Sequence, residues 1–339
     1  MKNTDFPFLI SPFSFSVRRA FTLVELLIVI IIITMLAAMT LVASHSALQA
    51  SKETKTRMTV IKLDTAMRRI FENYAERFDN ILNCLSLEDK TAAESLSTEE
   101  KTKLKLHLIH ELMRFELPEK LSDIETEQQA IHLGEGDAAK DYKLNAKPPV
   151  QPFYQDACSG KTDVTSAELL FLIIQNLSPE SLSAFKGSEV GDTDNNGLYE
   201  FLDAWGHPIH FFRNAPGFTG SDLQPDIVKK SGTALSITGN PAKWADMVAA
   251  SAAAVRSWGD YFDSENVLQR TWFLYPVIVS AGPDGKLDLW RDTADTAVPS
   301  GNQAFTPFDS ANGIPEDNDN DGSLNHYDNI HNHRSQNSY

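Results

Sequence analysis

One stretch limits what this chain can become more than any other. Phe21 to Ala43 is 23 residues long and carries a single charge, Glu25. Leu26 to Ile33 within it is unbroken apolar sequence. At a helical rise of about 1.5 Å per residue, about 20 residues cross the hydrocarbon layer of a bilayer. Arg18 and Arg19 directly precede the stretch, which holds that end on the cytoplasmic side. The rest of the chain is then expected outside the cytoplasm. A conventional signal peptide would have a shorter apolar core and a small-residue cleavage site, for which Ala37-Ala38-Met39 and Ala43-Ser44-His45 would serve. That alternative leaves Glu25 without a purpose, as does a plain single-pass anchor. A charge at mid-membrane costs roughly 2.5–3.5 kcal/mol on insertion scales, and less near the edge.

The residues Arg18-Arg19-Ala20-Phe21-Thr22-Leu23-Val24-Glu25-Leu26-Leu27-Ile28-Val29-Ile30 resemble the prepilin signal of type IV pilins and type II secretion pseudopilins. The resemblance implies a leader of residues 1–20, cut by a prepilin peptidase between Ala20 and Phe21. It implies methylation of the new amino terminus at Phe21. It also implies that Glu25 neutralises the Phe21 amino group of a neighbouring subunit, which relieves two charges inside an apolar bundle.

The helical pattern continues past the anchor (residues 21–45). Val60, Leu63, Met67, Ile70, Phe71, Tyr74, Phe78, Ile81 and Leu82 recur every three or four residues, and no Pro or Gly interrupts Phe21 to Leu85. Residues 46–85 therefore read as an amphipathic helix whose stripe packs on a globular head. Residues 86–185 read as a helical insertion, with a polar helical character up to about residue 147. Capping boxes are expected at Ser97–Glu100 and Thr165–Glu168, and a break at Pro148, Pro149 and Pro152. Leu169 to Leu177 is too short to span a membrane and reads as a buried helix.

Two acidic loops share one phase. The first places Asp192, Asp194, Asn196, Glu200 and Asp203 at loop positions one, three, five, nine and twelve. The second places Asp317, Asp319, Asp321, Asn325 and Asp328 there. Gly197 and Gly322 take position six, and Leu198 and Ser323 would offer backbone carbonyls at position seven. Calcium takes about six to eight hard oxygen ligands, and alternating acids around a glycine turn can wrap one ion. Calcium is the expected cofactor. The ordinary alternative for each loop is an Asx-rich solvated turn. Asp rather than Glu stands at position twelve, and flanking helix pairs are missing, so the loops are calcium-type without being EF-hands.

Asp203-Ala204-Trp205-Gly206-His207-Pro208 reads as a turn feeding a strand, and Trp272 to Ser280 as a strand followed by a turn at Ala281–Lys286. Residues 203–208, 278–285 and 317–328, in that order, resemble the head of the type II secretion major pseudopilin. The resemblance implies a carboxyl-terminal calcium site for which Asp317, Asp319, Asp321 and Asp328 are the best candidates. The expected fold class is α+β. A long amino-terminal helix, half anchor and half amphipathic, packs on a small antiparallel-sheet head (residues 186–339) with a helical insertion.

The formal net charge is −16. Residues 1–20 contribute +2 through Lys2, Arg18 and Arg19 against Asp5, so the remainder carries −18. Such acidity argues against a nucleic-acid partner. Cys84 and Cys158 form no CxxC pair, which leaves either one extracytoplasmic disulfide or two free thiols. His326, His331 and His333 beside the acids could hold a transition metal, but a solvated tail is the ordinary reading. No nucleophile elbow, His-Glu-x-x-His or phosphate loop occurs, so no enzyme is expected. The expectation is a structural pseudopilin subunit of a helical filament. Its expected partners are itself, other pseudopilins, a prepilin peptidase and an assembly platform in the inner membrane. Two alternatives stand beside it. One is a minor tip-type pseudopilin, against which Glu25 counts. The other is a membrane-tethered, calcium-dependent adhesin or binding module.

Overall fold

The computed structural model describes residues 22–134, 139–215, 218, 262, 275–289 and 329–333. Its contacts divide the chain into two units, residues 1–51 and 52–339. Helix α1, Leu23–Asp79, is a single run of 57 residues, as expected where neither Pro nor Gly interrupts the ladder. In the first unit its apolar side chains, Leu23 through Val42, stand exposed. This part is long and apolar enough to cross a membrane. Thr34 Oγ1 donates to Ile31 O (2.9 Å) and Thr40 Oγ1 to Ala37 O (2.9 Å), so these hydroxyls need no water.

In the second unit α1 buries Thr56, Thr59, Val60, Leu63, Ala66, Met67, Ile70, Phe71 and Tyr74. This is the predicted stripe, and it faces the core. The helix closes at Asp79, and a 3-10 turn at Ile81–Cys84 follows, a few residues short of the expected end at Leu85. Next come α2 (Leu87–Glu94), α3 (Thr98–Glu116) and α4 (Leu121–Glu125). An antiparallel hairpin follows, β1 (Ile131–Leu133) on β2 (Lys140–Tyr142). The periodicity does not show this hairpin, because strands of three residues are too short to display an alternation. Helix α5 (Gln151–Cys158) carries Pro152 in its first turn, where a missing N–H costs nothing. Helix α6 (Ser166–Leu177) follows.

The polar reading of residues 86–147 is corrected at α3. This helix buries Leu104, Leu106, Leu108, Ile109, Leu112, Met113 and Phe115, and with them Glu111, Arg114 and Glu116. The charges tolerate burial because they are paired. Arg114 Nη2 lies 2.6 Å from Glu111 Oε1, and Arg77 Nη1 lies 2.7 Å from Glu116 Oε2.

Short strands β3 (Val190–Gly191) and β4 (Glu200–Phe201) pair antiparallel. A three-stranded antiparallel sheet runs β5 (Ile209–Phe212), β6 (Val277–Ser280), β7 (Ile330–His331) in that order. Helix α6 packs on β4 and β5, so this part of the expected insertion lies against the sheets of the head. Of the histidines read as a solvated tail, His331 and His333 are instead buried, and His326 lies outside the described residues. His333 Nε2 bonds Pro276 O (3.1 Å), and His331 packs edge-on against Phe218. Cys84 and Cys158 are free thiols.

Candidate functional site

Ala20 and Phe21 lie outside the described residues. The chain enters α1 at Thr22, and Glu25 sits in the first helical turn. Thr22 N and Thr22 Oγ1 both donate to Glu25 Oε2, at 2.9 and 3.0 Å, while Glu25 N donates to Thr22 Oγ1 at 3.2 Å. This reciprocal arrangement is a capping box. The carboxylate thereby satisfies the end of its own helix, and it lies where the helix dipole favours negative charge. Thr-x-x-Glu at 22–25 has the spacing that marks the boxes at 97 and 165. That signal was available in the sequence, although the processing motif overlaps it.

The first acidic loop connects β3 to β4. Asn195 (φ 61°) and Gly197 (φ 88°) turn it through left-handed backbone. Asp192 spends both oxygens on the turn, Oδ1 accepting from Asn196 N (3.1 Å) and Oδ2 from Gly197 N (3.0 Å). Asp194 Oδ1 accepts from Asn196 N (3.1 Å), and Asn196 Oδ1 accepts from Leu198 N (2.8 Å).

A residue from outside the loop completes the group. Glu168 closes the capping box of α6 by accepting from Thr165 N, and its other oxygen accepts from Asn196 Nδ2. Glu168, Asp194 and Glu200 bring carboxylate oxygens within 4.8 Å of one another, with Glu168 and Glu200 buried and Asp194 exposed. Asn196 Nδ2 also donates to Asp194 Oδ2 (2.8 Å). Burial pushes the Glu200 carboxyl above its ordinary range. Thr193, donating through N (3.1 Å) and Oγ1 (3.0 Å), works against that, while Glu168 and Asp194 add to it. Three acids within reach of one point form a set of hard oxygens suited to a divalent cation.

The expected ligands are therefore partly regrouped. Asp194 and Glu200 meet, Glu168 joins them unpredicted, and Asn196 reaches the group through its Nδ2 with its oxygen turned to Leu198 N. Leu198 is buried at the loop's inner side. Asp203 goes elsewhere, for a reason the Asp-x-Trp-Gly-x-Pro pattern contains. Its Oδ1 accepts from Trp205 N (2.8 Å) and His207 N (2.9 Å), and its Oδ2 accepts from Ser280 Oγ (2.8 Å). It is the fastener of the turn into β5 and ties that turn to the end of β6. Gly206, at φ 92°, supplies the backbone bend. The second acidic loop, with Asp317, Asp319, Asp321, Ser323, Asn325 and Asp328, lies outside the described residues.

Residues 16–41 match the family model described as the prokaryotic N-terminal methylation motif. No curated protein and no solved structure matches the chain. The match covers Ala20, Phe21 and Glu25 together with the apolar part of α1, and it marks the chain as a type IV pilin-like substrate of prepilin peptidase.

Proposed function

We propose that this protein is a structural pseudopilin subunit of a type II secretion filament, or of a related type IV pilus-like one. The reading rests above all on Glu25, a carboxylate in the first turn of a helix whose first two dozen residues are otherwise fit only for lipid or for other helices. After cleavage at Ala20–Phe21 the helix anchors the subunit in the inner membrane with its head on the periplasmic side. It then joins the filament core. Glu25 Oε2 accepts from Thr22, and on this reading Oε1 is the atom that meets a neighbour's methylated amino group. An assembly platform and other pseudopilins are the partners, and the protein performs no catalysis. Glu25→Ala should leave peptidase processing and membrane level intact while removing the subunit from sheared filaments. Normal incorporation of that variant would sink the filament reading.

We assign a calcium-type centre to the loop between β3 and β4, with Glu168, Asp194 and Glu200 holding the ion. Two of its three carboxylates are buried side by side, an arrangement that a divalent charge relieves. In the head's compartment a modest affinity suffices. Calcium at 100 times its Kd would stabilise the fold by about 2.7 kcal/mol. Glu168→Gln keeps the shape of the side chain and removes a charge. It should abolish most of the calcium-dependent rise in melting temperature of the detergent-solubilised chain. An unchanged rise would remove Glu168 from the ligand set.

A further inference from the structure

We propose that Lys161 is a built-in cation for this loop: its ammonium holds residues 192–200 in the metal-free form, and a divalent ion competes with that hold instead of folding the loop. The inference rests on the calcium-type reading above and concerns the regulation of the same site. Lys161 follows α5 in the turn around Gly160, whose φ is 73°. Its Nζ donates to the carbonyl oxygen of Asn196, at the apex of the loop. A Cβ added to Gly197 would stand 3.8 Å from that nitrogen. The ammonium therefore lies against Asn196 and Gly197, at the apex of the loop.

The second half of the device is Asn196 itself. Its amide Nδ2 donates to Glu168 and to Asp194, which sets a partial positive charge between two of the three carboxylates. Thr193 covers Glu200 through two further donors. Donors thus reach every carboxylate of the group, and a full positive charge sits on the loop's backbone. A loop satisfied in this way keeps its shape without an ion. An incoming divalent ion, drawn to the three acids, is repelled by an ammonium fixed on Asn196 O. Binding must loosen Lys161, and the affinity is set lower than the acids alone would give.

The test is calcium titration, with melting in chelator and in calcium, of the detergent-solubilised full chain and its Lys161→Met and Lys161→Arg variants. Lys161→Met should melt several degrees lower in chelator, regain the loss in calcium, and bind calcium about threefold or more tighter. Lys161→Arg, which keeps the charge, should behave as the unaltered chain does. Equal calcium affinity and equal melting in chelator for all three overturn the Lys161 proposal and leave the site standing. A loss in chelator that calcium does not restore overturns it too. Calcium binding by none of the three overturns the site and the device together. If Lys161→Met fails to fold, the Lys161→Arg chain binding calcium markedly tighter would itself refute the role of the charge.

Discussion

At the scale of single residues, the charged groups separate into those that face ligands or partners and those that brace the core. Glu116 belongs to the second kind. It accepts from Tyr74 Oη at 2.7 Å and from two nitrogens of Arg77, at 2.7 and 3.0 Å, and its carbonyl accepts from Tyr154 Oη at 2.9 Å. It joins α1 to α3 where both are packed, and burial pushes both tyrosines well above their ordinary range, with Glu116 adding to it. Glu116→Ala would orphan the buried Tyr74 hydroxyl while Arg77, partly exposed, turns to water. The expected loss is about 2–3 kcal/mol, read as a lower denaturation midpoint at unchanged slope. None of this was legible in the sequence. Glu116 stands between Phe115 and Leu117, and only the packing of α1 on α3 brings Tyr74 and Arg77 to it. Glu25 is the opposite case, because its apolar surroundings make its cost visible in one dimension. Glu168 lies between the two: its capping role follows from spacing to Thr165, whereas its place beside Asp194 and Glu200 is a tertiary fact.

Among elements, the turn into β5 shows how a metal-type pattern and a turn pattern can overlap. Asp203 ends the first acidic loop at position twelve and also begins Asp-x-Trp-Gly-x-Pro. Local hydrogen bonds decide between the two, since Trp205 N and His207 N are held in place by the same turn and need an acceptor. Ser280 Oγ adds a third donor from β6. Asp203→Ala should therefore cost about 2–4 kcal/mol, because it orphans buried donors. The loss should be the same in calcium and in chelator, with calcium affinity unchanged. A loss confined to calcium-loaded protein would restore Asp203 to the ligand set. The helices were the easier elements to foresee. Caps at Ser97 and Thr165 and an uninterrupted α1 are local properties that nothing in the tertiary structure overrides. Strands β5 and β6 show as β-rich runs beside turns, whereas strands of two or three residues carry too little pattern, and β1, β2 and β3 become strands only by finding partners.

For the molecule as a whole, the carboxyl-terminal strand closes the sheet of the head and returns the chain to α1. Asn332 Nδ2 donates to Asp64 Oδ1 (2.8 Å) and Pro276 O (3.1 Å), and Tyr275 Oη donates to Asp64 O (3.2 Å). His333 lies buried in this junction and is held neutral. Burial pushes its imidazole down to about 4, against the pull of Pro276 O and Asp64, with Arg68 adding to the depression. A folded value below the unfolded one of about 6.5 means that the unfolded chain binds more protons between those limits. The contribution to stability is then complete above about pH 6.5 and is lost as pH falls towards 4. His107 is depressed in the same direction by its own burial, opposed by Gln129 O. By pH 5 the His333 share amounts to about 2 kcal/mol. Denaturation of the detergent-solubilised chain at steps between pH 7.5 and 5 should show stability falling below about pH 6.5. In His333→Gln, which has nothing to protonate there, the slope should flatten and leave the part due to His107. A slope unchanged by that substitution would mean that the junction opens to water before it charges. The carboxyl-terminal strand would then not close the sheet in solution.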